Sequence, residues 1–436
     1  MARIAAVIFI ILSLLPGQLK AERQDSIVVS LLTCWPGPEV YELCGHSALR
    51  VRGINPDGTV TDTVWNYGVF DFAEPNFLYR FVKGETDYML AGYPTAMFVP
   101  EYMAQGRRVV EQDLNLTREE TSRLVGMLRE EAKPENRTYR YNYVKDNCAT
   151  RITDRIDRAV GSPVVYPDSV RYGTFRNEMR AYHRDYPWYQ FGIDLALGSG
   201  IDYPLRGREE MFVPLEMMEK TAGAHLPDGR PLVAETRVLS EGVPDATLGP
   251  THWSATPLVC CSLFLAMILL VCWLQWRRRV IYRAVYSLWF GVTGLAGCVI
   301  AFLVVVSSHE ATSPNLLLLW LNPLQLIVSV GVWFRRKWKV PTSVMIYYNI
   351  IVVTVTLIVW PFQTQSANPA FFPLMASTLA LAVSYAIISP KISYKKYRNI
   401  PENEEVGNLG AGRSGHARRG RTGGSRPTTS RGGNRR

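Results

Sequence analysis

Five long apolar stretches in the C-terminal half constrain this chain more than any other feature. They cover roughly residues 257–276, 284–307, 315–334, 343–362 and 370–389, and none carries a charged residue or a histidine at its centre. Each is long enough to cross about 30 Å of hydrocarbon as a helix. The loops between them alternate in charge: Arg277-Arg278-Arg279, then only His309 and Glu310, then Arg335-Arg336-Lys337, then the uncharged Gln363 to Asn368, then Lys391, Lys395, Lys396 and Arg398. Positively charged loops stay on the cytoplasmic side. The pattern predicts a five-helix transmembrane bundle over 257–389, a cytoplasmic C-terminus, and an exported region ahead of Pro257. Pumps and ion-coupled transporters need ionisable groups inside the membrane. The interior here offers only Asn322, Gln325 and Asn349, which suit helix–helix hydrogen bonds. The chemistry therefore belongs to the exported region.

Both termini read as addresses rather than as folded structure. Residues 1–21 have the charge and apolar run of a secretory signal peptide, with Arg3 ahead of Ile4 to Leu15. Of the formal net charge of +10, the segment from Lys391 onward carries +9 (12 Lys/Arg against 3 Asp/Glu). The basic character thus belongs to a tail, residues 390–436, and not to a nucleic-acid-binding surface. From Gly407 that tail is Gly-, Arg-, Ser- and Thr-rich and is expected to be disordered, because it has too little apolar surface to offset its chain entropy.

The exported region, 22–250, reads as α+β. Ser26 to Leu32 is a strand candidate, and Ser47–Arg52 and Thr61–Phe70 flank the turn Asn55-Pro56-Asp57-Gly58 as a hairpin. Centring that hairpin on Pro56 sets Arg50 opposite Asp62 and His46 opposite Asn66. A slip of two residues would put Val64 or Gly68 there instead. Thr117 to Ala132 is a helix with a capping box from Thr117 and Glu120. Cys148 to Val160 is a second, capped by Asp146 or Asn147, striped by Ile152, Ile156 and Val160, and ended by Gly161.

Seven cysteines occur, and only Cys34, Cys44 and Cys148 lie in the exported region. An odd count leaves at least one thiol unpaired; Cys34 and Cys44 are near enough in sequence to bridge unless strand–loop geometry forbids it. Cys148 opens a helix, where unsatisfied N–H groups and the helix dipole favour the thiolate; a buried structural cysteine is the alternative. A nucleophilic thiol needs a base. His183, His225 and His252 read as solvated surface residues. His46 opens a strand, where it is held rigidly, and Asn66 is placed to orient its ring. Arg151 suits either a phosphate contact or an ion pair with an acid such as Asp154. The segment Tyr182–Phe191 reads as an interfacial belt, an acyl-chain groove or plain loop packing, and Met211–Leu226 as a docking helix. No metal-ligand spacing is present.

These residues resemble the Lnb family of bacterial lipoprotein N-acyltransferases. The resemblance runs through Leu31-Leu32-Thr33-Cys34, Gly45-His46-Ser47-Ala48-Leu49-Arg50-Val51, Asn66-Tyr67-Gly68-Val69-Phe70-Asp71-Phe72, Tyr139-Arg140-Tyr141-Asn142-Tyr143 and Asp146-Asn147-Cys148-Ala149-Thr150-Arg151-Ile152. It implies a permuted papain-like domain of the NlpC/P60 and lecithin–retinol acyltransferase kind, followed by the membrane bundle, in an inner-membrane protein with its catalytic domain in the periplasm. It also implies acyl transfer from a membrane phospholipid, through a Cys148 thioester, to the N-terminal amine of a diacylglyceryl lipoprotein. His46 would be the base, Asn66 the third member, and Asn147, Ala149 and Arg151 the supporting or oxyanion groups. No cofactor, metal or nucleic acid enters this chemistry. Two other classes stay open: a Cys–His amidase or peptidase acting on envelope peptide, and a non-catalytic envelope protein.

Overall fold

A computed structural model describes residues 27–398 apart from residues 56, 72, 74, 244–248, 335 and 336, with side chains described only to Pro390. The expected signal peptide and the tail from Gly407 lie outside the described residues. Seven strands form one sheet: β1 (Val28–Cys34), β2 (His46–Ile54), β3 (Val60–Val69), β4 (Asp87–Pro94), β5 (Val109–Leu114), β6 (Thr138–Arg140) and β7 (Val233–Ser240). Their order is β6-β4-β3-β2-β1-β5-β7, and every neighbouring pair is antiparallel.

The helices of the same domain are α1 (Phe77–Lys83), α2 (Thr95–Ala104), α3 (Arg118–Glu131), α4 (Cys148–Val160), α5 (Phe175–Tyr182), α6 (Pro187–Ala196), α7 (Gly207–Glu210) and α8 (Pro214–Ala222). Side chains alternate across a strand, and β1 is covered on both faces. Val29 and Leu31 join Leu49 and Val51 against Leu124 and Leu128 of α3 and Ile152 and Ile156 of α4. Leu32 and Cys34 face the other way, with Ala48 and Val64, against Phe98 and Val99 of α2. The site described below therefore stands on the most deeply buried part of the sheet.

The hairpin of β2 and β3 forms with its register two residues from the predicted one, pairing Arg52 with Asp62 and Arg50 with Val64. Its turn sets the shift. The Asn55 N–H donates to the Thr59 carbonyl at 2.8 Å, and the Asp57 carboxylate accepts from the Thr59 N–H and hydroxyl at 2.9 and 2.6 Å. Closure at Asn55–Thr59 centres the hairpin one residue later than Pro56. The predicted side-chain pairs survive as diagonal neighbours, a separation that long side chains still span: Arg50 Nε donates to Asp62 at 2.7 Å.

The predicted helices appear as α3 and α4. Thr117 and Glu120 form the capping box of α3, and Gly161 ends α4 at φ +82°. Strand β5 had no apolar alternation to reveal it. Glu111, Gln112 and Asp113 are buried within it. Glu111 is matched by Arg50 at 3.1 Å, and Asp113 by Arg52 and Arg237 at 2.7 Å and the Ser30 hydroxyl at 2.6 Å, as buried charges require; the Gln112 amide donates to Met218 O at 3.1 Å.

Among the described residues, four helices are long and apolar enough to cross a membrane: α9 (Pro257–Arg278), α10 (Arg283–Val305), the helix from Lys339 to Phe362 and that from Phe371 to Pro390. The last two are α12 (Lys339–Val359, extended by one tight turn) and the start of α13 (Phe371–Arg398), with the short α11 (Gln325–Gly331) ahead of them. The third expected span, 315–334, is thus not one long helix. It consists of a tight turn at Leu316–Leu319 and then α11, separated by Asn322-Pro323. Pro323 cannot donate to a helix ladder. The broken backbone lies against Gly297 of α10, where a Cβ would sit 2.5 Å from Asn322 backbone atoms, so only glycine allows the approach. The freed carbonyls find partners: Trp320 O accepts from Gln325 at 2.9 Å, and Leu319 O from Tyr348 at 2.9 Å, which an apolar surrounding demands. Gln325 and Asn349 exchange amide hydrogen bonds at 2.7 and 3.0 Å, an interhelical pair as expected.

The sheet domain is docked on the loops at one end of these helices. Arg176, fully buried, donates to Asp194 at 2.9 Å and Asp202 at 2.8 Å. Asp194 also accepts from Asn368 at 3.0 Å, and Asn315 donates to Leu195 O at 3.1 Å. The aromatic segment Tyr182–Phe191 belongs to this joint and not to a groove. Trp188 donates to Ala255 O at 2.7 Å, and the Phe191 ring lies 5.1 Å from that of Phe371.

Candidate active site

Cys148 is the first residue of α4 because Asn147 caps that helix. The Asn147 amide oxygen accepts from the Ala149 and Thr150 N–H groups at 2.9 and 3.0 Å. Its NH2 group donates to Tyr143 O and Phe212 O at 2.8 and 2.9 Å, tying the helix start to two loops. Asn147 is buried, so this cap is rigid. Asp146 leaves the cap to Asn147 and instead takes a two-pronged bond from Arg151 at 2.6 and 2.8 Å. The Arg151 guanidinium also lies 3.4 Å from the centre of the Tyr139 ring. Arg151 is therefore a clamp on the first turn of α4. Its acid is Asp146, while Asp154 pairs with Arg208 at 2.8 Å.

His46 starts β2 opposite Cys34. Gly45 before it has φ +79°, and a Cβ there would stand 2.6 Å from Cys34 O, so the turn into His46 requires glycine. The ring is fixed on two sides. Its Nε2–H donates to Asn66 Oδ1 at 2.6 Å, and the Tyr102 ring lies parallel at 6.4 Å. Asn66 reaches His46 across the diagonal of the hairpin. A β-bulge between Asn66 and Val69, where β3 pairs with β4, re-aims this end of the strand.

With Nε2 engaged by Asn66, the His46 side chain also acts on that of Cys148, through its charge and a hydrogen bond. Burial pushes the Cys148 thiol up. The His46 charge, a hydrogen bond from His46, and the Ser47 and Ala149 N–H groups outweigh it and leave the thiol below its ordinary range. Burial pulls His46 down, and the Cys148 charge with hydrogen bonds to Cys148 and Asn66 brings it above its ordinary value. The two directions have one cause: each group favours the charged form of the other. Such a pair supplies a nucleophile and a proton shuttle in one place.

The other two thiols are different. Cys34 and Cys44 are free and do not bridge. Burial raises Cys34 to about 12 and Cys44 to about 11. Cys44 Sγ lies 3.3 Å from the Tyr143 hydroxyl and 4.0 Å from His183 Nε2. His183 is not a surface residue: it is buried, with Nδ1 hydrogen-bonded to the Gln190 side chain at 2.8 Å. His225 and His252 are exposed, as expected. Sequence reasoning missed the Ser47 N–H, Tyr102 and Arg107. The Arg107 guanidinium, buried and bonded to Glu42 at 2.7 Å, holds the Tyr102 ring at 4.6 Å. Only long-range pairing brings these groups to His46, so no local pattern marks them. A groove of about 650 Å³ along α12, between Lys339 and Ile351, lies away from this site.

Among the described residues, no cluster of His, Cys, Asp and Glu is arranged to hold a metal ion. The chain matches the model of the Lnb N-terminal periplasmic domain over residues 19–177 and that of the Lnb transmembrane domain over residues 250–393. No curated protein and no solved structure matches it. The first match spans Cys148, His46 and Asn66, and the second spans the apolar helices on which that domain is docked. Carrying both domains in the family's order over more than two thirds of its length, this multi-pass membrane protein belongs to the Lnb-type family.

Proposed function

We propose that the protein is a lipoprotein N-acyltransferase of the inner membrane, working through an acyl-thioester on Cys148. The observation that carries this reading is a buried Cys148 acted on by a half-buried His46 that Asn66 holds, in a domain locked to apolar helices. In the first half-reaction the Cys148 thiolate forms a bond to the ester carbonyl carbon of a phospholipid. The ester C–O bond breaks, the departing oxygen takes the proton from His46, and a lysophospholipid leaves. The N–H groups of Ser47 and Ala149 face the charge that develops there. In the second, the amine of the acceptor's lipidated N-terminal cysteine attacks the thioester carbon. The C–S bond breaks, the amine's proton goes to His46, and the pair is restored.

The antiparallel sheet with a His strand ahead of a Cys helix supports a permuted papain-like domain. Peptide amidases use the same dyad. The docking of this domain on apolar helices favours a lipid substrate over a soluble peptide. The loop charges support placing the domain on the periplasmic side and the C-terminus in the cytoplasm. Mass spectrometry of a lipoprotein N-terminal peptide tests the reading in a strain lacking its own N-acyltransferase. This chain should add one acyl group and its Cys148→Ala variant none. Equal acylation by both would exclude Cys148 catalysis.

A further inference from the structure

We propose that the groove along the first half of α12 holds one anionic phospholipid, with its phosphate at Lys339 and an acyl chain laid along Val344 to Ile351. The groove has a volume of about 650 Å³ and runs from Lys339 and Val340 past Ser343, Val344 and Tyr347 to Ile351. That volume lies within the ~300–1,000 Å³ of ordinary ligand sites. Val340, Val344, Tyr347 and Ile351 are each more than half exposed, while Met345, Ile346 and Asn349 on the other side of α12 are buried in the bundle. The face is open because the third apolar stretch is broken. Helix α11 has only seven residues, and its Val328 packs with Met345 and Ile346 instead. The Tyr348 hydroxyl fixes one wall of the groove by donating to Leu319 O at 2.9 Å.

This face belongs to the transmembrane domain, so bilayer lipid covers it, and the charges select which lipid. Lys339 starts α12, and the groove extends twelve residues from it, about 18 Å at the helical rise. One leaflet's hydrocarbon is ~15 Å deep. The lysine therefore stands at headgroup level while Val344 and Ile351 lie among acyl chains, and Ser343 adds a hydroxyl one turn in from the lysine. Between Pro257 and Pro390 the only acid is Glu310. It is bonded to Lys145 of the docked domain, beyond the other end of the bundle. In the tail from Lys391 onward, 12 Lys/Arg outnumber 3 Asp/Glu. A second copy of the bundle thus brings no anion to Lys339, whereas a phosphodiester lipid with an uncharged headgroup does. Basic pockets on this side of a membrane suit such lipids.

The proposal is independent of the acyl-thioester reading. The groove lies at the end of α12 away from the loop whose Asn368 bonds Asp194, and the test uses full-length Cys148→Ala protein. In nanodiscs of phosphatidylethanolamine with a minority of phosphatidylglycerol, a benzophenone side chain replaces Val344. The control places it at Leu288 of α10, which is 72% exposed and, like Val344, five residues into its helix. The ratio of phosphatidylglycerol to phosphatidylethanolamine adducts should be about fivefold higher at 344 than at 288, the worth of one lysine at an anionic surface. Lys339→Gln should bring the ratio at 344 down to that at 288. Ser343→Trp, which fills the groove and keeps the lysine, should do the same. Equal ratios at the two positions in the parent protein would overturn the proposal. So would an enrichment that survives Lys339→Gln, or one that survives Ser343→Trp, since attraction to a basic surface alone needs no groove.

Discussion

Replacing His46 by Gln should slow alkylation of Cys148 by at least about 30-fold, and Cys34, which starts from the ordinary 9.0, supplies the lower bound. Cys34 is a buried thiol on the strand beside His46, and burial, against a smaller pull from Arg107, takes it from the ordinary 9.0 to about 12. Cys148 is also buried, and the His46 charge and hydrogen bond are the main forces holding it below its ordinary range. Without them, burial dominates. A rise like that of Cys34 cuts the thiolate at neutral pH by ~10³, a factor of ten per unit. The less acidic thiolate is intrinsically more nucleophilic, with a Brønsted slope of about 0.4–0.5, which returns ~15- to 30-fold. The assay is iodoacetamide labelling of full-length protein from pH 5 to 10, read on the Cys148 peptide by mass spectrometry. The wild-type rate should exceed the variant's most at neutral pH and fall on the acid side, because His46 holds the thiol below its ordinary range. The variant should climb steadily with pH across the range. An unchanged profile in His46→Gln would refute the ion-pair account.

Other expectations concern the supports of this pair. Asn66→Ala should lower the acylation rate about 10- to 100-fold, the worth of a hydrogen bond to a charged ring (~1.5–3 kcal/mol), while Asn66→Asp should keep most of it; single-turnover thioester formation reads both. Gly45→Ala should cost about 1–2 kcal/mol in a denaturation assay and displace His46, since the residue sits at φ +79° against Cys34 O. Arg176→Ala should destabilise by about 3–5 kcal/mol, because it leaves Asp194 and Asp202 buried beside a missing charge. The Glu178 carboxyl is raised to about 8, first by burial and then by its bond and proximity to Glu210. The folded state therefore keeps a proton that the unfolded chain sheds above about 4.5. Stability should be greatest below that pH and decline as pH rises towards 8. In thermal unfolding, Glu178→Gln should flatten that decline, and an unaltered slope would contradict the assignment.

The sequence spoke clearly where a local rule sufficed. The Thr117–Glu120 box, Asn147 ahead of Cys148 and Gly161 after Val160 bound α3 and α4 through contacts within four residues. His46 and Asn66 were legible because a hairpin ties their positions together. Even the two-residue register shift kept them in reach, since diagonal neighbours on one face still touch. Strand β5 was hidden because its buried Glu111 and Asp113 depend on arginines of β2 and β7. His183 looked solvated beside Arg184 and Asp185, yet it is enclosed by Gln190 and Cys44, which come from outside its own turn. The third apolar stretch passed for a helix by length and hydropathy. Asn322-Pro323 breaks it, and Gly297 of another helix accommodates the break.

The most direct test is the acyl-enzyme itself. Full-length protein incubated with phospholipid and no lipoprotein acceptor, quenched in acid and digested, should carry a fatty acyl group on Cys148 that neutral hydroxylamine removes. Cys34 and Cys44, whose thiols burial holds protonated, should carry none. Protein that N-acylates lipoprotein while Cys148 stays unmodified, or with the acyl group on another residue, would contradict the account.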